Sequence, residues 1–228
     1  TNSRQPIYTQ GGNVLIEHSL FHMDMVGDLI NITKTNEAQV LNCEFRGNRE
    51  QDTDAIDYDG VTNGVIKGNW IYGFRGYNSD GIDLGESSKN ILIEDNEIYY
   101  CSDKGISVGQ ASTAVIKNNL ITLCGMGVGV KDHGASAHVS YNTLDANKHA
   151  LAAFEKNPGA GGGSIYEDHN LLTNSDGSTY LKDDKSILES HNSLTEGVKY
   201  RNPSFFDLKI LESDSLIGSS LSYHENRH

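Results

Sequence analysis

The chain has 228 residues with 24 glycines, 3 prolines and 11 tyrosines, and its 31 acidic and 18 basic side chains give a formal net charge of −13. This charge argues against nucleic acid as a partner, because phosphate binding needs clustered lysine and arginine. No apolar run approaches the roughly 18 residues of a membrane-spanning helix, so we expect no membrane span. The composition is typical of short strands joined by tight turns rather than of long helices.

The N-terminal part carries one irregular unit. The opening TNSRQ lacks the apolar stretch of a signal peptide, so we expect the sequence to be a part of a larger chain. The segment VLIEHSLFHMDMVGDLINI then has the character of a degenerate β-coil. We predict that residues 1–39 form an N-terminal coil or cap, because a solenoid needs cover for its open edge.

From residue 40 the sequence repeats itself. Segments beginning at residues 40, 65, 91, 115, 139, 164 and 186 share short β-type runs separated by turn residues. An asparagine precedes the same apolar position at intervals of 27, 23, 23, 28 and 22 residues, namely at Asn69, Asn96, Asn119, Asn142, Asn170 and Asn192. Such a period predicts a solenoid in which each repeat is one coil of two or three strands. We interpret the asparagines as a ladder of hydrogen bonds from coil to coil.

Each repeat contains a strand with an alternating pattern, which separates inward from outward positions. The inward columns are apolar: Ile56, Ile82, Ile106, Val128 and Leu151, and Tyr58, Leu84, Val108, Val130 and Ala153. Two outward columns collect charged residues: Asp57, Asp83, Ser107, Gly129 and Ala152, and Asp54, Asp80, Lys104, Met126 and His149. We therefore expect the acidic residues of neighbouring coils to stack on one outer face.

Three features concern the rest of the chain. The stretch PGAGGGS at residues 158–164 predicts a flexible loop between coils, and 201–228 breaks the rhythm as a C-terminal cap or tail would. Cys43, Cys101 and Cys124 are an odd set without a metal-binding spacing, which favours buried thiols. The regular coils fill residues 40–200, and the whole chain, 1–228, is predicted to be one domain.

The sequence resembles the right-handed parallel β-helix of pectate lyases, polygalacturonases, alginate lyases and epimerases, and phage tailspikes. The features that carry the resemblance are the asparagine ladder, the coil length and the recurring glycine-isoleucine motif. The resemblance covers almost all of residues 13–200. It implies an all-β, single-stranded solenoid of about 7–8 coils.

A weaker likeness to polygalacturonases rests on Asn78-Ser79-Asp80. However, Asp103-Lys104 stands where that family has an aspartate pair, and Gly125-Met126-Gly127 lacks the family's histidine. Glycosidic hydrolysis needs two carboxyl groups, so this activity is disfavoured.

The acidic columns are similar to the metal site of Ca²⁺-dependent lyases of the pectate type. The resemblance implies that Asp54, Asp57, Asp80 and Asp83 hold Ca²⁺ and that Lys104 or Lys131 is the base of a β-elimination on an acidic polysaccharide. No arginine follows on these coils as in the family, and the lysine spacing does not choose between the two lysines. Tyr77, His133 and His149 are further candidates for contact with the substrate. We expect an extracellular or cell-surface location.

Two alternatives remain open. The aspartates can form a solvated acidic face, with Lys104 serving only as a salt-bridge partner of Asp80. The protein would then be a non-catalytic carbohydrate-binding or surface-structural β-helix. The two histidines can likewise be ordinary surface residues, and the tyrosines can be fillers of the coil stack.

Overall fold

The structure is a computed structural model that describes residues 5–202, 207–210 and 217–219. Within these residues the chain forms a parallel β-solenoid, in which each coil contributes one strand to each of three sheets. The described part contains no helix, and so no helix long and apolar enough to cross a membrane. The predicted parallel β-helix of about 7–8 coils is confirmed by the two sheets of eight strands and the third of seven.

The first sheet carries the candidate site. Its strands are β1 (Ile7–Gln10), β4 (Ile30–Thr33), β7 (Ile56–Asp59), β10 (Ile82–Gly85), β13 (Lys104–Val108), β16 (Met126–Lys131), β19 (His149–Phe154) and β22 (Ser178–Lys182). The second sheet consists of β2 (Asn13–Glu17), β5 (Glu37–Leu41), β8 (Gly64–Lys67), β11 (Ile91–Glu94), β14 (Thr113–Lys117), β17 (Ser136–Ser140), β20 (Ser164–Asp168) and β23 (Ile187–His191).

The third sheet is shorter. It consists of β3 (Leu20–His22), β6 (Glu44–Arg46), β9 (Trp70–Tyr72), β12 (Glu97–Tyr99), β15 (Leu120–Thr122), β18 (Thr143–Asp145) and β21 (Leu171–Thr173). An antiparallel pair, β24 (Tyr200–Asn202) and β25 (Asp207–Ile210), follows the last coil.

The core is the interior of the solenoid, and the strand registers confirm the predicted columns. Ile82 pairs with Ile56 on one side and with Ile106 on the other, and all three side chains are fully buried. The outward register is also as predicted, since Asp83 pairs with Asp57 and with Ser107. Alternation along each strand therefore fixes which residues fill the core and which face out.

The asparagine ladder is present, with one correction. Side-chain amides donate to the carboxamide oxygen of the next coil at 2.9 to 3.0 Å along the series Asn69, Asn96, Asn119, Asn142 and Asn170. The prediction of Asn192 as the sixth member is wrong, because its side chain is exposed and donates to Asp168 Oδ1. Ser193 occupies that rung instead, because its Oγ accepts from the backbone N–H of Asn170.

The remaining predictions about the chain have mixed outcomes. The three cysteines are buried free thiols, as predicted. The glycine-rich segment, predicted to be a flexible loop, is held by two hydrogen bonds: Glu155 Oε1 accepts from the backbone N–H groups of Gly159 and Gly161. The predicted C-terminal cap lies largely outside the described residues. Of its described part, Ser219 donates its backbone N–H to Thr143 Oγ1 at 2.9 Å.

Candidate functional site

The site is built where the chain enters the strands of the first sheet. Asp57 on β7 lies opposite Asp83 on β10, and Asp54 and Asp80 stand just before these strands. The backbone N–H of Asp80 donates to Asp54 Oδ1 at 2.6 Å, and that of Lys104 donates to Asp80 Oδ1 at 2.8 Å. One oxygen of each carboxylate thus ties neighbouring coils together, which stacks the acidic side chains in line.

Three carboxylates converge. Asp54, Asp80 and Asp83 each offer an oxygen that lies within 4.8 Å of the others. Two oxygens on opposite sides of a Ca²⁺ ion, each about 2.4 Å away, are about 4.8 Å apart. The spread of the three oxygens is therefore compatible with a shared Ca²⁺ shell.

The convergence borders an open cleft of ≈ 380 Å³. Its walls carry six carboxyl groups and one amine: Asp28, Asp52, Asp54, Asp57, Asp59, Asp83 and Lys131. Among the described residues, no lysine or arginine lies within 4.0 Å of Asp28, Asp54, Asp57 or Asp59. The negative charge of the cleft is therefore only partly compensated by the protein itself.

Burial and mutual repulsion disfavour the ionised carboxylates. Burial, followed by the nearby Asp59, raises the pKa of Asp57 to about 9. Burial raises the pKa of Asp59 to about 6. It also raises the pKa of Asp80 to about 6, against the opposing effect of the nearby Lys104. The pKa of Asp54 is raised well above its ordinary value by burial and by Asp80. A cation bound by the cluster would have to displace these protons, so its affinity would rise with pH.

Lys104 is held as a buried counter-ion. Its side chain is only 2% exposed, in contrast to the outward, solvent-facing position expected from the pattern. Nζ lies 3.3 Å from Asp80 Oδ1 and 2.5 Å from Asp103 Oδ2. Burial alone would lower the pKa of Lys104, but Asp80 and Asp103 outweigh it and raise that pKa. The salt bridge considered as an alternative is thus present, and Lys104 is held as an ammonium.

Lys131, unlike Lys104, extends its side chain into the acidic cleft. It lies two coils beyond Asp83, yet its Nζ reaches to 3.4 Å from Asp83 Oδ1 and lines the cleft. The stem crosses Gly109, where an added Cβ would stand 2.5 Å from Lys131 Cε. A glycine on the intervening coil is what leaves room for this crossing. Of the two predicted bases, Lys131 is the one in the cleft.

Asn31 fits the donor set of a cation site. Its amide nitrogen donates to Asp57 Oδ2 at 2.5 Å, whereas its carboxamide oxygen is buried without a hydrogen-bond partner. A buried acceptor without a donor is costly, and a carboxamide oxygen is a Ca²⁺ ligand. Asp57 itself lines the cleft next to Asn31 rather than joining the three converging carboxylates.

The other predicted contact residues lie elsewhere. Tyr77 is 84% exposed, and His133 is exposed beside the glycine-rich turn. His149 is half-buried, and its Nδ1 is 2.8 Å from Ser178 Oγ. None of the three lines the acidic cleft. The structure therefore does not bring them together with the aspartates.

Three residues that contact the predicted site residues were not themselves predicted as members of the site. Asp28 accepts the backbone N–H of Asp54 at 3.2 Å and extends the acidic column by one coil. Asn31 stands opposite Asp57, and Asp103 pairs with Lys104. The signal for the first two was present: GDLIN in residues 27–31 has the same spacing as TDAID in residues 53–57.

Comparison with known proteins gives a family and several structural likenesses. The family described as "Right handed beta helix region" matches residues 2–194. A comparison with curated proteins finds no match. Among solved structures, pectate lyase Pel9A has 12% identity and a TM-score of 0.43, with 96% of this chain and 79% of that chain covered.

Two further solved structures have a similarly low sequence identity. A periplasmic alginate epimerase, AlgG, has 13% identity and a TM-score of 0.41 over 73% of this chain, and the match spans only 51% of the epimerase. An alginate lyase from Paenibacillus sp. str. FPU-7 has 12% identity and a TM-score of 0.36, with coverage of 75% and 76%. These likenesses concern the solenoid fold. On the strength of the family match over residues 2–194, the chain belongs to the right-handed β-helix family.

Proposed function

We propose that this protein is a Ca²⁺-assisted polysaccharide lyase that cleaves an acidic glycan by β-elimination at a uronate. The single observation that carries the proposal is the convergence of Asp54, Asp80 and Asp83 at the border of an open cleft that Asp54, Asp83 and the amine of Lys131 line. The reaction needs a metal site and a base, and the converging carboxylates and the nearby amine are suited to these two roles.

The three converging aspartates would hold the cation, with Asp57, Asp59 and the carboxamide oxygen of Asn31 beside them. When bound, Ca²⁺ neutralises the uronate carboxylate and makes the C5 proton more acidic. The six uncompensated or partly compensated carboxyl groups would otherwise repel an acidic glycan. The acidic cleft is therefore suited to an anionic substrate only together with a cation.

Lys131 would remove the C5 proton. The C5–H bond breaks toward Nζ, a C4–C5 double bond forms, and the C4–O bond breaks to release the leaving sugar, whose oxygen takes a proton from water. The amine must be neutral to act as a base. A cation bound by Asp83 would compete for that carboxylate with the Lys131 amine 3.4 Å away.

Lys104 would contribute charge rather than proton transfer. Its amine lies between Asp80 and Asp103 and is 2% exposed, so a sugar C5 atom has no path to it. We assign to it the role of keeping Asp80 ionised inside the protein.

A second function is favoured by one observation. The Lys131 amine is already in an ion pair with Asp83, as it would be in a protein that binds acidic glycans without cleaving them. In that case the same cleft would be a Ca²⁺-dependent binding site of a carbohydrate-binding or surface-structural module. Either function implies an extracellular or cell-surface protein that meets polysaccharide.

The experiment is incubation with polygalacturonate, alginate and a glycosaminoglycan, each with Ca²⁺ and with a chelator. A lyase produces unsaturated ends that absorb in the near ultraviolet, with Ca²⁺ only. No absorbance on any of these polymers, together with Ca²⁺-dependent retardation in an affinity gel, would replace the lyase by the binding module.

A further inference from the structure

A second groove is lined by the same turns that contribute to the acidic cleft. These turns lead from the third sheet into the first, and the groove of ≈ 490 Å³ follows the ends of the third-sheet strands. Its lining combines two arginines, a tyrosine and three other polar residues: Asp24, Asn48, Arg49, Glu50, Tyr72 and Arg75. Its two arginines balance the charges of Asp24 and Glu50, in contrast to the acidic cleft and to the net charge of −13 of the whole chain.

The two arginines are neighbours without a counter-ion. The backbone N–H of Arg75 donates to the carbonyl of Asn48 at 2.8 Å, which sets Arg75 beside Arg49 on the adjacent coil. Both side chains are exposed, and no described carboxylate lies within 4.0 Å of either guanidinium. Arg46 differs, since its Nε pairs with Glu44 at 2.8 Å. Like charges on neighbouring coils repel each other, so an anion near both arginines would be stabilising.

The backbone below the arginines is already ordered. The Asn48 side chain donates to the carbonyls of Met23 and Met25 at 2.6 and 3.1 Å, and its oxygen accepts the backbone N–H of Glu50 at 2.8 Å. Arg75 also lies 4.6 Å above the centroid of the Tyr100 ring. Since these contacts fix the turns before a ligand arrives, binding would involve a small entropic cost of ordering.

One wall of the groove is aromatic. The Tyr72 ring stacks on Tyr99 at 5.3 Å and packs against Trp70 at 4.5 Å, and its hydroxyl donates to Glu44. The ring is therefore held rigidly with part of its surface exposed. An aromatic ring beside polar groups suits a ligand with both apolar C–H surface and charge.

We propose that this groove binds an acidic sugar unit, with the carboxylate or sulfate between Arg49 and Arg75 and the ring against Tyr72. Guanidinium groups bind such planar or multivalent anions through paired hydrogen bonds. Asp24 and Glu50 in the same groove disfavour a polyphosphate, which needs several cationic contacts. A single acidic group between two arginines is compatible with them.

The groove and the acidic cleft are close enough for one glycan chain to contact both. Glu50 lines the groove and Asp52 lines the cleft. Two residues span at most about 7 Å of chain. The groove needs neither the metal nor the base of the proposed lyase, so its binding stands or falls independently of catalysis.

The test is isothermal titration of the whole chain with a uronate disaccharide in the presence of a chelator, so that the ligand occupies the groove without laying further carboxylates along the cation-free acidic cleft. We expect binding, and we expect Arg49→Gln and Arg75→Gln each to weaken it about tenfold or more, since a hydrogen bond to a charged group contributes about 1.5 to 3 kcal/mol. Arg46→Gln, whose parent side chain is already paired, is the matched control and keeps the wild-type affinity. Circular dichroism checks that each variant keeps the β-solenoid.

Several results would overturn the proposal. They are the absence of binding, an affinity of the Arg49→Gln and Arg75→Gln variants equal to that of the wild type, and an equal affinity of the wild type for a neutral disaccharide. A single-stranded oligonucleotide that binds as tightly as the uronate would make the groove a general polyanion site instead. Because cleavage is not measured, a failed lyase assay leaves this result unaffected, and a failed titration leaves the lyase proposal unaffected.

Discussion

The amine of Lys131 lies 3.4 Å from Asp83 Oδ1 although the two residues are 48 positions and two coils apart. The contact depends on Gly109, which lies on the coil between them and presents no side chain to the lysine stem. This relationship places the one amine among the described residues that line the acidic cleft next to one of the three converging carboxylates.

Gly109→Ala tests the crossing directly. An added Cβ would stand 2.5 Å from Lys131 Cε, so the stem must leave its path and the amine must move away from Asp83. We expect a loss of elimination activity of at least tenfold with Ca²⁺ affinity within about twofold of wild type, because the carboxylates are untouched. Unchanged activity in this variant would mean that the crossing does not position the base.

Calcium binding should raise stability through the acidic cluster. At a Ca²⁺ concentration of 100 times the dissociation constant, the free energy of unfolding should increase by about 2.7 kcal/mol. Asp54→Asn combined with Asp83→Asn should remove this gain, whereas Asp176→Asn, at an exposed position away from the cleft, should keep it. Thermal unfolding with and without Ca²⁺ measures the difference, and a wild-type protein indifferent to Ca²⁺ would remove the metal site.

The metal-free protein should become less stable as the pH rises from about 4 to 7. The pKa is about 9 for Asp57 and about 6 for Asp59 and for Asp80, whereas an unfolded aspartate has a pKa of about 3.9. The folded state therefore binds more protons in this window, and their contribution is full below the unfolded pKa and is lost as the pH rises through the folded values. Each such carboxyl group contributes a slope of at most about 1.4 kcal/mol per pH unit.

Asp57→Asn checks this assignment by urea unfolding across the same pH range. The variant removes the group with the highest of the three values, so its stability should fall less steeply than that of the wild type. A wild-type protein that instead gains stability between pH 4 and 7 in chelator would contradict the burial of uncompensated carboxyl groups.

Lys104→Met should be strongly destabilising. The change leaves Asp80, whose side chain is 5% exposed, without its cation, and breaking a buried pair costs about 3 to 5 kcal/mol. The double variant Lys104→Met with Asp80→Asn should recover a large part of this loss. Chemical denaturation of the four proteins of the cycle measures the coupling, and strictly additive effects would show that the pair does not act as a unit.

The asparagine ladder allows a matched pair of variants. Asn119 is fully buried and donates to Ile93 O, Lys117 O and Asn142 Oδ1. Asn119→Ala should cost about 3 kcal/mol or more, since it leaves buried donors and acceptors without partners at 1 to 3 kcal/mol each. Asn192→Ala, at the exposed position off the ladder, should change the free energy of unfolding by less than about 0.5 kcal/mol. Similar losses in both variants would refute the assignment of the rungs.

Much of the fold could be predicted because it depends on periodicity. Alternation within each strand assigned Ile56 and Ile82 to the core and Asp57 and Asp83 to the outer face, and these columns are confirmed. The last rung of the ladder was wrong because a serine, Ser193, replaces asparagine there and the nearby Asn192 imitates the spacing.

The site was less accessible to sequence reasoning, since it depends on where long side chains go. Lys104 and Lys131 looked alike as outward lysines, but one lies buried between Asp80 and Asp103 and the other reaches across a glycine into the cleft. Lysine stems have four rotatable bonds, and their course is decided by neighbours on other coils. The orphan oxygen of Asn31 likewise appears only when the hydrogen bonds are known.

The most direct test of the central claim compares wild type with Lys131→Met on the most rapidly cleaved acidic polysaccharide, with Ca²⁺ affinity measured in parallel. The exposed Lys148→Met is the control. We predict that Lys131→Met binds Ca²⁺ within a few-fold of wild type and forms no unsaturated product, while Lys148→Met is fully active. Formation of the unsaturated product by Lys131→Met at the wild-type rate would contradict the assignment of Lys131 as the base.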